Sequence, residues 1–267
     1  MTMNSGVYRH KKRFGQHFLI DLSVVDRMVQ AIDPRPGQTL IEIGPGQGVL
    51  TRPLLQACGA LRVVEIDRDL AGQLADRLGP LADGLEIINQ DVLGYDFPGR
   101  ELRVVGNLPY NISTPLLFHL FAHHDQIRDM HFMLQKEVVD RLVAVPQTKA
   151  YGRLSVMAQF HATLTELFDV PPEAFDPPPK VDSSIIRLVP RLMSESERAL
   201  EAPLEQVTRV AFGQRRKTLR NALGAVLDET QIASAGIEPS ARAETVSLAG
   251  FLRLAEVYAA QANLITD

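Results

Sequence analysis

The chain has 267 residues, of which 45% are hydrophobic and 22% are charged, a composition typical of a globular protein of one or two domains. Its 28 basic and 32 acidic residues give a formal charge of −4, which as an average argues against a nucleic-acid-binding protein. The single cysteine, Cys58, excludes an internal disulfide and a cysteine-rich zinc site, and no apolar run is long enough to span a membrane. We therefore expect a cytoplasmic protein without a membrane segment.

The middle of the chain alternates short β-branched runs with helical segments, which is the pattern of βαβ units in a parallel sheet. The predicted strands are 39–43, 61–66, 85–88, 102–106 and 130–134, and the predicted helices are 49–57, 69–78 and 114–121. Two further β-rich runs, 164–170 and 184–189, are expected to form an antiparallel pair at one edge of the sheet. The expected fold class is α/β, with a Rossmann-like and mostly parallel sheet.

The sequence changes character after Pro190. Residues 194–203 are polar and acidic between two prolines, which predicts a linker. The predicted helices that follow are 204–212, 216–227, 230–235 and 248–263. We therefore expect an α/β domain of residues 1–193 and a small all-helical domain of residues 194–267.

A glycine-rich loop follows the first predicted strand. Gly44, Gly46 and Gly48 lie at a strand-to-helix turn, where glycines let the backbone approach a ligand closely. The dinucleotide fingerprint places its third glycine one residue later, where this chain has Val49, and Glu42 before the loop would repel a pyrophosphate. The loop therefore favours a cationic cofactor without phosphate over a nicotinamide dinucleotide.

Two acidic residues follow the next two strands. Glu65 ends the second strand at the position where a carboxylate suits the hydroxyls of a ribose. Asp91 follows the third strand, where it can accept a hydrogen bond from an adenine amino group. With the glycine loop, this arrangement resembles a class I S-adenosylmethionine site.

The fourth strand is followed by Asn107-Leu108-Pro109-Tyr110, which resembles the catalytic tetrapeptide of amino-methyltransferases. The exocyclic N6 of adenine is a poor nucleophile because its lone pair is delocalised into the ring. An amide oxygen and a main-chain carbonyl can accept its two N–H bonds, and an aromatic ring can hold the base by stacking. We therefore predict catalytic roles for Asn107, the Leu108 carbonyl and Tyr110. No metal is required, because a sulfonium is already an activated electrophile.

The resemblance extends along most of the chain. Motifs of one family occur in order at residues 12–19, 107–114, 133–137, 151–155, 175–183 and 214–221. The sequence resembles the bacterial small-subunit rRNA adenine dimethyltransferases, the family that confers kasugamycin sensitivity. The resemblance implies an enzyme that transfers methyl groups from S-adenosylmethionine to N6 of two adjacent adenosines in the last hairpin loop of 16S rRNA. Each adenosine is dimethylated. The resemblance also implies action on a nearly mature small subunit, late in ribosome assembly.

The resemblance assigns site residues by position. The implied cofactor-binding residues are His17, Leu19, Gly44, Gly46, Glu65, Asp91 and Asn107. Family members often have asparagine at the position of His17, so this chain departs from the family pattern there. The departure concerns the direct contact of this side chain with the cofactor. Phe175 matches a family aromatic that is expected to stack on the target base opposite Tyr110.

The formal charge conceals two basic clusters without acids. RNA-binding residues are predicted in both: Arg9, Lys11, Lys12 and Arg13 in the first, and Arg215, Arg216, Lys217 and Arg220 in the second, which also holds Arg209. Setting these nine charges aside from −4 leaves −13 for the rest of the chain. Contacts from the clusters to phosphates would position an RNA without reading its sequence.

Three alternatives remain open at this point. A related family methylates large-subunit rRNA and confers macrolide resistance, and the match through residues 214–221 favours the small-subunit family instead. A non-catalytic assembly factor would have no need of the Asn-Leu-Pro-Tyr motif. An NAD-dependent oxidoreductase is disfavoured by the glycine spacing. We expect a monomer, because no self-complementary apolar stripe is evident.

Overall fold

The computed structural model describes residues 17–109, 112–214 and 216–266. The strands are β1 (Phe18–Leu19), β2 (Leu40–Ile43), β3 (Leu61–Val64), β4 (Leu85–Ile88), β5 (Leu102–Asn107), β6 (Ile127–Gln135), β7 (Ala162–Val170), β8 (Phe175–Asp176) and β9 (Ser183–Pro190). The helices are α1 (Leu22–Ile32), α2 (Thr51–Cys58), α3 (Arg68–Leu78), α4 (Ser113–Ala122), α5 (Lys136–Val143), α6 (Arg153–His161), α7 (Glu195–Ala199), α8 (Glu201–Gly213), α9 (Leu219–Ala222), α10 (Glu229–Ser234) and α11 (Leu248–Thr266).

A seven-stranded sheet has the order β4-β3-β2-β5-β6-β9-β7. The strands from β4 to β6 pair in parallel, and the β9-β7 edge is antiparallel. A separate two-stranded antiparallel sheet joins β1 to β8. The predicted α/β fold class with an antiparallel edge is confirmed.

The chain packs into two compact units. The first comprises the described residues up to Lys136 together with Leu167–Arg187. The second comprises Glu137–Glu166 and the described residues from Leu188 onward. The second unit thus contains the described part of the predicted helical domain and also takes in α6 and most of α5. The functional boundary at residues 193 and 194 stays a prediction.

Helix α1 was not predicted from the sequence, although its apolar residues have helical spacing. Val24, Val25, Met28 and Ile32 are buried on one face. The Asp21 carboxylate accepts a hydrogen bond from the Ser23 N–H at 2.8 Å and so caps the first turn. The buried face packs into the core of the first unit with residues of α2, α3 and the sheet.

The predicted linker at residues 194–203 is wrong, because this segment forms α7 and the start of α8. The Ser194 hydroxyl accepts a hydrogen bond from the Glu197 N–H at 3.2 Å, and the Glu197 carboxylate accepts one from the Ser194 N–H at 2.9 Å. This reciprocal capping stabilises a helix start within an acidic sequence. Pro203 lies in the first turn of α8, where a missing N–H breaks no helical hydrogen bond.

The predicted helix at residues 216–227 is too long, because only α9 is helical there. Thr218 instead forms an isolated antiparallel bridge with Arg242. None of the described helices is long and apolar enough to cross a membrane.

Gly106 allows β5 to lie close to β2. A Cβ at this position would collide with the main-chain oxygen of Ile43. We expect Gly106→Ala to lower the free energy of unfolding by about 1–3 kcal/mol, the usual cost of overpacking a core. Gly72→Ala is the control, because an added Cβ there meets nothing within 4 Å on α3. The control is expected to gain about 0.5–1 kcal/mol. Urea unfolding measures both, and equal stabilities of the two variants would contradict the prediction.

Candidate active site

A cavity of about 530 Å³ opens at the carboxyl ends of β2, β3 and β5. Because these strands are parallel neighbours, the loops that follow them meet at one edge of the sheet. The predicted site residues that line the cavity are His17, Leu19, Gly44, Gly46, Glu65, Asn107, Leu108 and Pro109. The volume lies within the usual range of small-molecule sites, about 300–1,000 Å³.

The glycine loop forms one wall of the cavity. Gly44, Gly46 and Gly48 have φ angles of 66°, 55° and 84°, a backbone conformation that glycine adopts without steric cost. A Cβ on Gly46 would lie 3.1 Å from the ring of Phe18. A Cβ on Gly48 would lie 2.9 Å from the Leu74 Cδ1. The loop therefore depends on glycine for its conformation, and at Gly46 and Gly48 also for space.

Glu65 is held at the cavity wall by main-chain donors. Its Oε1 accepts from the Asp67 N–H at 2.8 Å, and its Oε2 accepts from the Gly46 N–H at 3.3 Å. Burial raises the pKa of Glu65, while these two hydrogen bonds oppose the rise. The carboxylate is thus fixed in direction and retains lone pairs that can accept from hydroxyl groups.

Asn107 is oriented by the segment that contains His17. The Asn107 Nδ2 donates to the main-chain oxygen of His17 at 3.2 Å. The amide nitrogen is therefore engaged, and Oδ1 is the atom available to accept from a target amine. The Leu108 N–H donates to the Met133 oxygen at 3.2 Å, which anchors the start of the loop after β5 to β6.

The side chain of His17 is turned to the β1–β8 side of the cavity. Its Nδ1 lies 2.7 Å from the main-chain oxygen of Pro177, so the ring donates to that carbonyl. His17 therefore orients Asn107 through its main-chain oxygen, while its ring holds the segment against Pro177.

Glu42 lies directly before the glycine loop and also lines the cavity. It is 2% exposed, and its Oε2 has no hydrogen-bond partner among the described residues. Burial raises the pKa of Glu42 to about 8, with the nearby Thr51 hydroxyl opposing the rise and the Glu65 carboxylate adding to it. A cation next to Glu42 would stabilise the ionised carboxylate and so lower this pKa.

Two predicted residues do not line this cavity. Asp91 is exposed, and its Oδ1 accepts from the Leu93 N–H at 3.0 Å at the start of a short 3-10 turn. Phe175 is only 2% exposed and packs in the core of the first unit. Stacking on a base needs an uncovered ring face, so the role that the structure shows for Phe175 is packing.

Several predicted residues fall outside the described part of the chain. These are Tyr110 in the predicted catalytic tetrapeptide and Arg9, Lys11, Lys12, Arg13 and Arg215 in the basic clusters. Arg216, Lys217 and Arg220 are described and exposed, and the Arg220 Nη1 lies 3.8 Å from the Glu229 carboxylate. Their RNA-binding roles stay predictions.

Other lining residues were missed in the sequence. Ile66 is 48% exposed although it is apolar, and it follows Glu65 directly. Its position could have been recognised in the sequence, because an apolar residue directly after the acid that ends a strand can offer a surface to an adenine. Asp176 gave no such signal, because it reaches the cavity only through the pairing of β8 with β1.

A model of the ribosomal RNA adenine dimethylase family matches residues 7–260. The chain belongs to this family. Membership confirms the resemblance found in the sequence and the predicted enzyme class, with S-adenosylmethionine as the methyl donor of the dimethylase.

Relatives of the dimethylase cover nearly its whole length. A "Ribosomal RNA small subunit methyltransferase A" from Xanthomonas campestris pv. campestris (strain B100) is 55% identical, covering 92% of this chain and 95% of the relative. A protein of the same name from Xanthomonas axonopodis pv. citri (strain 306) is 54% identical with the same coverage.

Two solved structures share the architecture. A dimethyladenosine transferase from Plasmodium falciparum has a TM-score of 0.78 at 24% identity, covering 92% of this chain and 98% of that one. The 23S rRNA methyltransferase ErmE has a TM-score of 0.71 at 26% identity, with coverages of 91% and 99%. The first of these supports the fold alone.

Glu42 makes the stability of the cofactor-free protein depend on pH. Its pKa is about 8 in the folded protein and 4.5 ordinarily, so between these values the folded state holds the extra proton. The contribution of Glu42 to the free energy of unfolding therefore falls as the pH rises, by at most about 1.4 kcal/mol per pH unit.

We expect Glu42→Gln to make the free energy of unfolding fall less steeply between about pH 5 and pH 8, as measured by urea unfolding. The exposed control Glu86→Gln keeps the wild-type slope. A wild-type slope in Glu42→Gln would contradict the prediction.

Proposed function

We propose that this dimethylase methylates N6 of two adjacent adenosines in the 3′-terminal hairpin loop of 16S rRNA, twice each, within the small ribosomal subunit. The observation that carries the proposal is the placement of Asn107 and Leu108 at the wall of a cavity that also contains Glu65 and the glycine loop. The 55% identity to proteins named small-subunit rRNA methyltransferases supports the choice of rRNA.

The residues of the cavity fit S-adenosylmethionine. The Glu42 Oε2 is buried without a partner among the described residues, and a cation beside it would stabilise its ionised form. The Glu65 carboxylate is oriented to accept from the ribose hydroxyls, and Ile66 offers an apolar surface to the adenine. When bound, the cofactor supplies a methyl group on a positively charged sulfur.

The catalytic loop would then align the target amine. The Asn107 Oδ1 and the Leu108 carbonyl accept the two N–H bonds of N6, which favours a pyramidal nitrogen whose lone pair points at the methyl group. Pro109 fixes the turn, and its carbonyl accepts from the Ser113 hydroxyl at 3.1 Å, which ties the loop to α4. Tyr110 completes the proposed site by stacking on the base.

The basic residues would hold the RNA through its phosphates. Arg216, Lys217 and Arg220 are exposed on the second unit. Contacts of this kind add affinity and salt dependence but no sequence preference. We place the enzyme in the cytoplasm as a monomer that acts late in small-subunit assembly.

Large-subunit rRNA is the second candidate substrate, because the ErmE structure shares the fold over 91% of this chain. The identity to ErmE is 26%, against 55% to the small-subunit relatives. The two candidates differ in the rRNA that carries the methylated adenosines. Mass spectrometry of the two rRNAs distinguishes them directly.

The test uses unmethylated small and large subunits, labelled S-adenosylmethionine and mass spectrometry of both rRNAs. We expect dimethyladenosine at two adjacent positions of 16S rRNA and none in 23S rRNA. Asn107→Ala removes an acceptor that acts in the transition state, so turnover is expected to fall about 10²-fold or more while cofactor affinity changes less. Gln56→Ala, which removes an exposed amide on α2, is the matched control.

Product only in 23S rRNA would overturn the choice of substrate. Full activity of Asn107→Ala would overturn the catalytic assignment. A wild-type protein that binds small subunits but yields no methylated rRNA would favour the assembly-factor hypothesis.

A further inference from the structure

A second cavity, of about 370 Å³, lies toward the opposite end of the sheet from the active site. It is bordered by the end of α1 and by the starts of β5 and β6, with one residue from β9. Arg103 on β5 lines it, four residues before Asn107. At about 3.3 Å per residue, the two sites are about 13 Å apart along this strand.

The floor of the second cavity is a buried ion pair. The Arg103 Nε and Nη2 donate to the two oxygens of Asp129 at 2.8 and 3.0 Å. The remaining Arg103 donors are taken by the Gln38 Oε1 at 2.9 Å and by the main-chain oxygens of Ile32 and Asp33 at 2.6 and 3.2 Å. Arg103 is therefore fully engaged in joining α1 to the sheet and offers no free donor to a ligand.

The rim of the cavity carries additional cations. Arg187 is 49% exposed and only approaches Asp129, with 3.9 Å between its Nη2 and the Oδ2. Arg128 is exposed and has no carboxylate partner among the described residues. Arg35 is paired with Asp33 at 2.8 Å. Four guanidinium groups thus face two carboxylates, which leaves an excess of two positive charges.

His131 adds a buried polar group to the wall. It is 1% exposed, and neither ring nitrogen has a hydrogen-bond partner among the described residues. Burial lowers the pKa of His131 to about 4, Asp129 opposes the fall, and the guanidinium groups of Arg103 and Arg187 add to it. The ring is therefore neutral at pH 7 and adds no charge to the wall, so the excess positive charge comes from the arginines alone.

We propose that this second cavity binds a phosphate group, to which Arg128 and Arg187 donate. A phosphate group accepts from several donors at once, and its negative charge offsets the excess positive charge. The group can come from free inorganic phosphate or from a phosphodiester of the rRNA. Neither arginine belongs to the basic clusters recognised in the sequence.

The first arm of the test measures thermal unfolding in sodium phosphate and in sodium chloride of equal ionic strength. Phosphate is expected to raise the melting temperature of the wild type in a saturable way. The double variant Arg128→Gln/Arg187→Gln is expected to bind phosphate at least tenfold more weakly. Arg100→Gln, which removes an exposed arginine elsewhere on the first unit, keeps the wild-type response. This arm uses no rRNA, so its result does not depend on the proposed substrate.

The second arm measures binding to unmethylated small subunits over a range of salt concentrations. If a phosphodiester fills the cavity, the double variant lowers the slope of log affinity against log salt by about 0.7–0.9 for each phosphate that it no longer neutralises, and Arg100→Gln does not. A response to phosphate alone assigns the site to free phosphate, and a changed slope assigns it to the rRNA. Wild-type behaviour of the double variant in both arms would overturn the proposal.

Discussion

The parallel register of β2, β3 and β5 is the constraint on which the active site depends. Glu42 pairs with Val63 on one side and with Val105 on the other, so the three strands end at one level. Side chains alternate faces along a strand, and a shift of one residue would turn each strand-end residue to the opposite face. Gly106 maintains the close approach of β5 to β2, since any Cβ there would collide with the neighbouring backbone.

The two ends of β5 have opposite electrostatic character. At its carboxyl end, the buried acids Glu42 and Glu65 face a cavity that suits a cationic cofactor. Toward its amino end, Arg103 neutralises Asp129, and further arginines leave an excess of positive charge. The same sheet therefore separates a site that favours a cation from one that favours an anion, although the chain as a whole is mildly acidic. The proposed roles of the two sites follow from this separation.

Local patterns in the sequence were sufficient for the strands and the glycine loop. The strand at residues 85–88 was predicted with its observed bounds, because a short apolar run is bounded there by Gly84 and the polar residues after Ile88. Long-range contacts could not be predicted in this way: the hydrogen bond that orients Asn107 comes from a residue 90 positions earlier. The second cavity was missed for the same reason, since its arginines come from distant segments.

The linker prediction failed because polar composition concealed the capping pair of Ser194 and Glu197.

Glu65 is the proposed acceptor of the ribose hydroxyls, and on this proposal cofactor binding depends most directly on it. Calorimetric titration of the purified protein with S-adenosylmethionine tests this role, with Glu65→Ala compared with Glu86→Ala, which removes an exposed acid from the neighbouring β4. Hydrogen bonds to a charged group contribute about 1.5–3 kcal/mol, so Glu65→Ala is expected to weaken binding at least about tenfold. Glu86→Ala is expected to bind as the wild type does. Wild-type affinity in a folded Glu65→Ala protein would contradict the assignment of this cavity to the cofactor.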